Sequence, residues 1–363
     1  MNAERERMAR QREGIEDWRL WGPYLSERAW GTVREDYSAG GTAWEYFSHD
    51  QARSRTYRWN EDGLGGISDH SQHLCFGLSL WNGKDPILKE RAFGLTGNQG
   101  NRGEDVKEYY FYRDATPSHS YLRYLYKYPQ LAFPYRQLVE ENARRSRTDP
   151  PFNLLDTGVM DEQAYWDVEI HYAKAAFDEI HIRIYARNRG KDEVRLHLIP
   201  TLWFRNTWSW TKDTVDMPIL HRQPTAEGQR WAVKAEHPVL GEYHLYGAQD
   251  AELLFTENET NAERLWQTEN PTPYVKDAFH RRIVRDEADA VNPALSGTKF
   301  GAWSRWTVQP GQRIRVDLVL SHKPQPVPFA RSETIFSARR SEADVYYDEM
   351  LPEAGPEDAR ILR

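Results

Sequence analysis

Two stretches of this 363-residue chain concentrate the side chains that grip hydroxyl-bearing molecules. The first combines Trp30-Gly31-Thr32-Val33-Arg34-Glu35-Asp36-Tyr37 with Arg53-Ser54-Arg55-Thr56-Tyr57-Arg58-Trp59-Asn60-Glu61-Asp62-Gly63. Arg, Asp and Glu offer directed hydrogen bonds to vicinal hydroxyls, and Trp and Tyr offer apolar ring faces, the mixture a sugar pocket requires. The second is Trp203-Phe204-Arg205-Asn206-Thr207-Trp208-Ser209-Trp210, whose alternation puts Trp208 and Trp210 on one side if the segment is extended. Each stretch has an equally weighted structural reading: an Arg–carboxylate network pinning a long loop for the first, an aromatic corner of the fold for the second. Glu35, Asp36, Glu61 and Asp62 are also candidates for a paired acid and base, although neighbours such as Glu61 and Asp62 usually point apart.

Other constellations read as structure. Asp156-Thr157-Gly158 resembles the catalytic triplet of aspartic proteases, but that chemistry shares one proton between two carboxylates and the chain has no second triplet, so a turn is expected. Asp69, His70, His73 and Cys75 lie close together without the paired spacing of a structural zinc site. His171 and His181 fall on the polar faces of predicted strands and are expected to be solvated. There is no GxxxxGK phosphate loop, no GxSxG elbow and no HExxH, and Gly63-Leu64-Gly65-Gly66 is too short for a dinucleotide fingerprint, so neither a cofactor nor a metal is expected.

The scaffold for these side chains is written in a period of two. Leu74, Phe76, Leu78 and Leu80 alternate up to an Asn82-Gly83 turn, and Gly103 to Asp114 reads as another strand. Trp166, Val168, Ile170 and Tyr172, then Ile180, Ile182, Ile184 and Ala186, mark two half-buried strands. Asn188-Arg189-Gly190-Lys191 supplies turn chemistry before Val194, Leu196 and Leu198, which predicts an antiparallel hairpin. Tyr243 and Leu245 repeat the pattern weakly, and Ile314, Val316, Leu318 and Leu320 repeat it strongly after Pro310-Gly311. The class implied is mainly β, an antiparallel sandwich with a few short helices. Residues 1–20 read as a charged helical arm, Phe133 to Arg145 as a short helix, and 21–322 as the β-sandwich domain. Residues 323–363 read as a Pro-rich connector, a linker helix from Arg331 to Met350 and, from Pro356, the first turns of another helix.

Composition narrows the function classes. With 39% hydrophobic and 28% charged residues and a net charge of -7, neither a disordered tail nor a membrane protein fits, and the acidic balance disfavours nucleic acid. The chain carries 14 Trp, 20 Tyr and 13 Phe, an excess suited to packing and to sugar faces. Cys75 is the only cysteine, which excludes an internal disulfide, and the first residues hold no apolar run, so a cytoplasmic location is expected.

The runs WGPYLSERAWGTVREDYSAGG, HDQARSRTYRWNEDGLGGISD, LWNGKDPILKERAFGLTGNQGN, GEDVKEYYFYRD, YLYKYPQLAFPY, LLDTGV and PTLWFRNTWSW resemble the amino-terminal part of microbial glucosidase-like proteins of glycoside hydrolase family sixty-three, relatives of mannosyl-oligosaccharide glucosidase. The similarity covers nearly the whole chain and thins between Arg222 and Pro293. It implies a supersandwich-type β-domain leaning on an (α/α)6 barrel, in cis or on a separate chain, with the acid and base of an inverting α-glucosidase contributed by the barrel and lying beyond Arg363. On that resemblance the chain is a non-catalytic domain that braces the barrel and shapes a pocket for an oligosaccharide or glucoside. Its implied pocket walls are Arg34, Asp36, Tyr37, Arg58, Trp59, Glu61 and Asp62, with Trp203, Arg205 and Trp208 as secondary candidates. Two departures stand out: Arg102 precedes Gly103-Glu104-Asp105 where the family leads one to expect His, and Ser48-His49-Asp50-Gln51 replaces a Pro-His-Asp-His run. The competing reading is a free-standing carbohydrate-binding or structural interaction module without turnover.

Overall fold

From Tyr165 to Tyr172 half-buried and buried side chains alternate without a break, and a strand with that pattern must lay one face on a core. A computed structural model shows how the other strands answer it. It describes residues 2–24, 40, 48–56, 62–92, 108–146, 148–210, 216–351 and 355. The candidates Arg34, Glu35, Asp36, Tyr37, Arg58, Trp59 and Glu61 lie outside the described residues, as do Arg102 and the helix expected from Pro356.

In chain order the elements are α1 (Ala3–Arg12), β1 (Trp21–Pro23), α2 (His49–Ala52), β2 (Leu64–Asp69), β3 (Leu74–Trp81), β4 (Tyr110–Ala115), β5 (Tyr121–Pro129), α3 (Tyr135–Arg144), β6 (Tyr165–Ala176), β7 (Glu179–Asn188) and β8 (Val194–Phe204). They continue with β9 (Ile219–Gln223), β10 (Trp231–His237), β11 (Gly241–Gly247), β12 (Glu252–Thr256), α4 (Ala262–Trp266), α5 (Ala278–Val284), β13 (Ser296–Gly297), β14 (Lys299–Val308), β15 (Arg313–Ser321) and α6 (Ser332–Met350). Among the described residues the strands form two antiparallel sheets, a six-stranded one in the order β1-β2-β3-β8-β14-β12 and a nine-stranded one in the order β13-β9-β10-β11-β15-β7-β6-β5-β4. Their inner faces share one core, in which Phe76, Leu198 and Phe300 of the first sheet join Tyr126, Trp166 and Ile182 of the second. The protein is thus mainly β, a two-sheet sandwich with few helices.

The hairpin predicted across Asn188–Lys191 does not form. β7 pairs with β6 and β15, whereas β8 pairs with β3 and β14, so the chain changes sheet at this point. Asn188 explains the crossing: its side-chain amide donates to the carbonyls of Asp192 and Val308 and accepts from Gln130 and the Gly190 amide, which ties the corner to both sheets. A period of two fixes which residues face the core but not which sheet a strand joins.

Both outer faces are covered in part. Coil around residues 82–92 and 257–292, with α4 and α5, lies over the six-stranded sheet, where Ile199, Leu254, Phe279 and Trp303 form a second apolar cluster. α6 crosses the nine-stranded sheet, with Ile335, Phe336 and Ala343 packed on Tyr121 and Ala173. α1 lies beside α6, and its Glu4 is fully buried, accepting from the amide and hydroxyl of Ser118 and the hydroxyl of Ser120. The expected solvation of His181 fails for this reason: α6 covers it, and its ring bonds Ser332 and Glu179.

Candidate functional site

Among the candidates that are described, Asp62 has the most unusual surroundings. β8 sends Leu198, Leu202 and Phe204 inward and His197, Ile199, Thr201 and Trp203 outward. Trp203 then stands in an outward row between Cys75 of β3 and Lys299 of β14. Asp62 arrives at this row on a backbone that only glycine permits: Gly63 has φ +88, and a Cβ there would lie 3.0 Å from both Gly77 Cα and the Trp203 ring. The Gly63 amide donates to Glu90 O at 2.8 Å, and the Tyr24 hydroxyl donates to Asp62 O at 2.5 Å.

Around this point five charged side chains meet under cover. Asp62 accepts from Arg91 Nε at 2.9 Å and pairs with Lys276 Nζ at 2.9 Å, while Lys299 Nζ reaches Glu90 at 3.0 Å. Lys276 Nζ also donates to the carbonyls of Ala52 and Arg55, and Arg91 donates to Ala52 O, so the cluster fastens the turn after α2. Burial alone would raise the Asp62 pKa, but the charges of Lys276, Arg91 and Lys299 outweigh it and hold the carboxyl well below the usual range. Burial lowers the Lys276 ammonium to about 8 although Asp62 opposes the shift. His49, buried and facing Arg91 and Lys89, is lowered to about 3 and stays neutral.

The structure brings Trp208 to the same layer. Its indole donates to Glu259, whose backbone carbonyl accepts from the Lys276 amide at 2.8 Å. The Asn206 side-chain amide donates to Asn258 O and the Asn258 side-chain amide to Phe204 O, which stitches the two segments together. The expectation of an extended segment placing Trp208 and Trp210 together is replaced by a 3-10 turn over Trp208–Trp210. Trp203 is only 3% exposed, its ring enclosed with Tyr24 and Cys75, so in this chain it packs rather than offering a face to solvent. Arg205 is directed elsewhere, to the carbonyls of Ser71 and Gln72 at 3.1 Å, with Trp210 over its guanidinium.

That turn also accounts for Asp69, His73 and Cys75. Asp69 accepts from the amides of Ser71 and Leu74 and touches His73 Nδ1 at 3.2 Å, an Asx-type turn entering β3 with Cys75 buried behind it. Asp156-Thr157-Gly158 is likewise a turn, a 3-10 segment ended by Gly158 at φ 71. Among the described residues no group of three or more His, Cys, Asp or Glu side chains is placed to hold a metal ion, and no helix is long and apolar enough to cross a membrane.

Sequence reasoning missed Arg91, Lys276, Glu90 and Lys299. Lys299 leaves a trace, a lysine opening the otherwise apolar and small run Phe300-Gly301-Ala302-Trp303, whereas Arg91 and Lys276 sit in coil and carry none. It also read the His171 and His181 strand faces as solvent-facing only.

No family model matches the chain. An uncharacterized protein of Saccharomyces cerevisiae is 39% identical over 404 aligned residues, which cover 99% of this chain and 37% of that protein, so the chain spans just over a third of its relative's length. Among solved structures, a galactose mutarotase related enzyme of Lactobacillus acidophilus aligns at 7% identity and a TM-score of 0.32, covering 71% of this chain and 90% of its own. A galactose mutarotase-like protein of Lactobacillus casei aligns at 5% identity and a TM-score of 0.33, covering 70% and 92%. Superpositions this partial say nothing of chemistry.

Proposed function

We propose that the chain is the sugar-facing, non-catalytic β-domain of a longer inverting α-glucosidase-type glycoside hydrolase, shaping one wall of an oligosaccharide pocket against an (α/α)6 barrel. The observation that carries this reading is the state of Asp62. An inverting glycosidase needs one carboxyl kept protonated to donate to the leaving oxygen and a second carboxylate free to activate water. Asp62 does neither: pinned between Arg91 and Lys276 it stays ionised, and both oxygens are engaged. A carboxylate so held is an anchor rather than a reacting group, and the reading assigns the substrate hydroxyls to Arg34, Asp36, Tyr37, Arg58, Trp59 and Glu61 by their residue types. Trp208, half-buried and fixed by its bond to Glu259, is a further wall. The greater length of the yeast relative supplies room for a second, catalytic domain.

The test is turnover of an aryl α-glucoside. The present chain is expected to release no aryl alcohol, and the full-length yeast relative to release it with inversion at the anomeric carbon. Hydrolysis by the chain alone, or none by the longer protein on any gluco-oligosaccharide, would overturn the reading.

A further inference from the structure

On the opposite side of the molecule, α6 does not close fully on the nine-stranded sheet, and a polar groove of about 640 Å³ remains between them. We infer that this groove binds a small polyhydroxylated anion, a saccharide carrying a carboxylate or a phosphate.

The sheet wall is set by register. Arg123, His171, Arg183 and Asp317 stand opposite one another across β5, β6, β7 and β15, and Glu169, Tyr185 and Arg315 form the next row. The helix wall comes from one face of α6, where Glu333, Phe336, Ser337, Arg340, Ser341 and Asp344 recur at helical spacing. The hydrogen-bonding state of these groups is lopsided. Glu169 is taken by Arg123 at 3.2 Å and His171 at 2.9 Å, and Glu333 by Arg183 at 2.8 Å and Arg315 at 2.5 Å. The bases are in surplus: Arg123 Nε is buried without a partner, and Arg313 and Arg340, on opposite walls, meet no carboxylate among the described residues.

Arg313 is also held ready, its guanidinium lying over the Tyr185 ring at 4.1 Å, which fixes the plane of its donors. Guanidinium groups left over from internal pairing select an oxyanion, to which they donate as a fork. The Ser337 and Ser341 hydroxyls and the Phe336 ring suit a hydroxylated body, and the volume falls in the range of small-molecule pockets. This site lies across the sandwich from Asp62, so its failure would leave the proposed function standing, and the converse holds too.

Calorimetric titration of the whole chain with glucuronate, glucose 6-phosphate, glucose and inorganic phosphate tests the inference. One or both anionic sugars should bind at least tenfold more tightly than glucose, and which one does so separates the carboxylate from the phosphate. Arg313→Gln and Arg340→Gln, both at exposed positions, should each weaken that binding about tenfold with the melting temperature unchanged. Equal affinity for glucose and both anionic sugars, inorganic phosphate binding as tightly as glucose 6-phosphate, or full affinity in both variants would overturn it. A variant with a shifted melting temperature is replaced by Arg→Lys at the same position, which keeps the charge, loses the fork and should still weaken binding.

Discussion

The two outer faces of this sandwich use the same ionic vocabulary and spend it differently. Over the six-stranded sheet, Asp62, Glu90, Arg91, Lys276 and Lys299 are shut under coil with side chains no more than 12% exposed. Over the nine-stranded sheet, Arg123, Glu169, Arg315 and Glu333 line or border a groove, and Glu333 is 69% exposed. A sealed charge is costly to leave unmatched, whereas an open one is shared with water and adds little to stability while remaining available to a ligand. Burial, rather than the number of ion pairs, decides which pairs hold the fold together, and among the described residues beside the groove only the Arg183–Asp317 pair, 6% and 11% exposed, belongs with the sealed kind.

The largest effect should come from opening the sealed side. Asp62→Asn removes the carboxylate that Arg91 and Lys276 share, leaving Arg91 the longer pair with Glu90 at 3.6 Å, and breaking such a buried pair costs about 3–5 kcal/mol. Urea unfolding should show that loss at both low and high salt, since a covered pair is poorly screened. A loss below about 1 kcal/mol would mean that the cluster is not sealed and the contrast between faces is false.

Titration should separate the faces by direction. Lys276 has a folded pKa of about 8 against 10.5 when free, so between these values the unfolded chain holds the extra proton and folding is favoured as pH rises. Stability should therefore climb through that window, by on the order of 3 kcal/mol, and Lys276→Met should flatten the climb. Glu169 behaves oppositely: the hydrogen bond from His171 holds it at about 2 against burial, so its contribution is present above 4.5 and is lost as pH falls toward 2. Glu169→Gln should reduce the acid-side loss without touching the alkaline window. Unfolding measured at several pH values in the two variants checks both signs.

A smaller loss is expected where backbone strain supports the sealed side. Gly63→Ala puts a Cβ 3.0 Å from Gly77 Cα at a positive φ, which should cost about 1–2 kcal/mol in thermal or urea unfolding. Asp62 and Trp203 depend on this approach of β2 to β3, so the same variant should loosen both.

The alternation of Trp166 to Tyr172, Ile180 to Ala186 and Ile314 to Leu320 made the sandwich legible, because one buried face per strand leaves a period of two in the residues. The change of sheet after Asn188 was not legible, since it depends on side-chain bonds to Gln130 and Val308, far off in sequence. Asp62 was visible as part of an acidic and aromatic run, but its partners Arg91 and Lys276 come from distant coil, and ion pairs between coils have no periodicity to read. His181 was misjudged for a related reason: alternation gives the face of a strand, and only the docking of α6 decides whether that face meets water.

The smallest expected effect is on the open side. Glu333 bridges Arg183 and Arg315, joining α6 to two strands, and its two guanidinium partners alone would make it look as important as Asp62. Its carboxylate is mostly in water, where the gain from pairing is offset by solvation and by the entropy of holding long side chains still. Glu333→Gln should therefore cost no more than about 1 kcal/mol, with most of that gone at about 1 M salt, where charges are screened within roughly 3 Å. Arg183 keeps its bond to Asp317 at 2.7 Å in the variant, so the sheet wall should stay in place. Arg315 keeps Asp317 through its Nε at 2.5 Å, but the guanidinium nitrogen released from Glu333 becomes a donor beside a groove that has lost one negative charge, so the same substitution should tighten binding of glucuronate or glucose 6-phosphate while slightly lowering stability. Opposite signs for affinity and stability in one variant are what an open, ligand-ready face predicts, and parallel losses in both would place Glu333 with the sealed cluster instead.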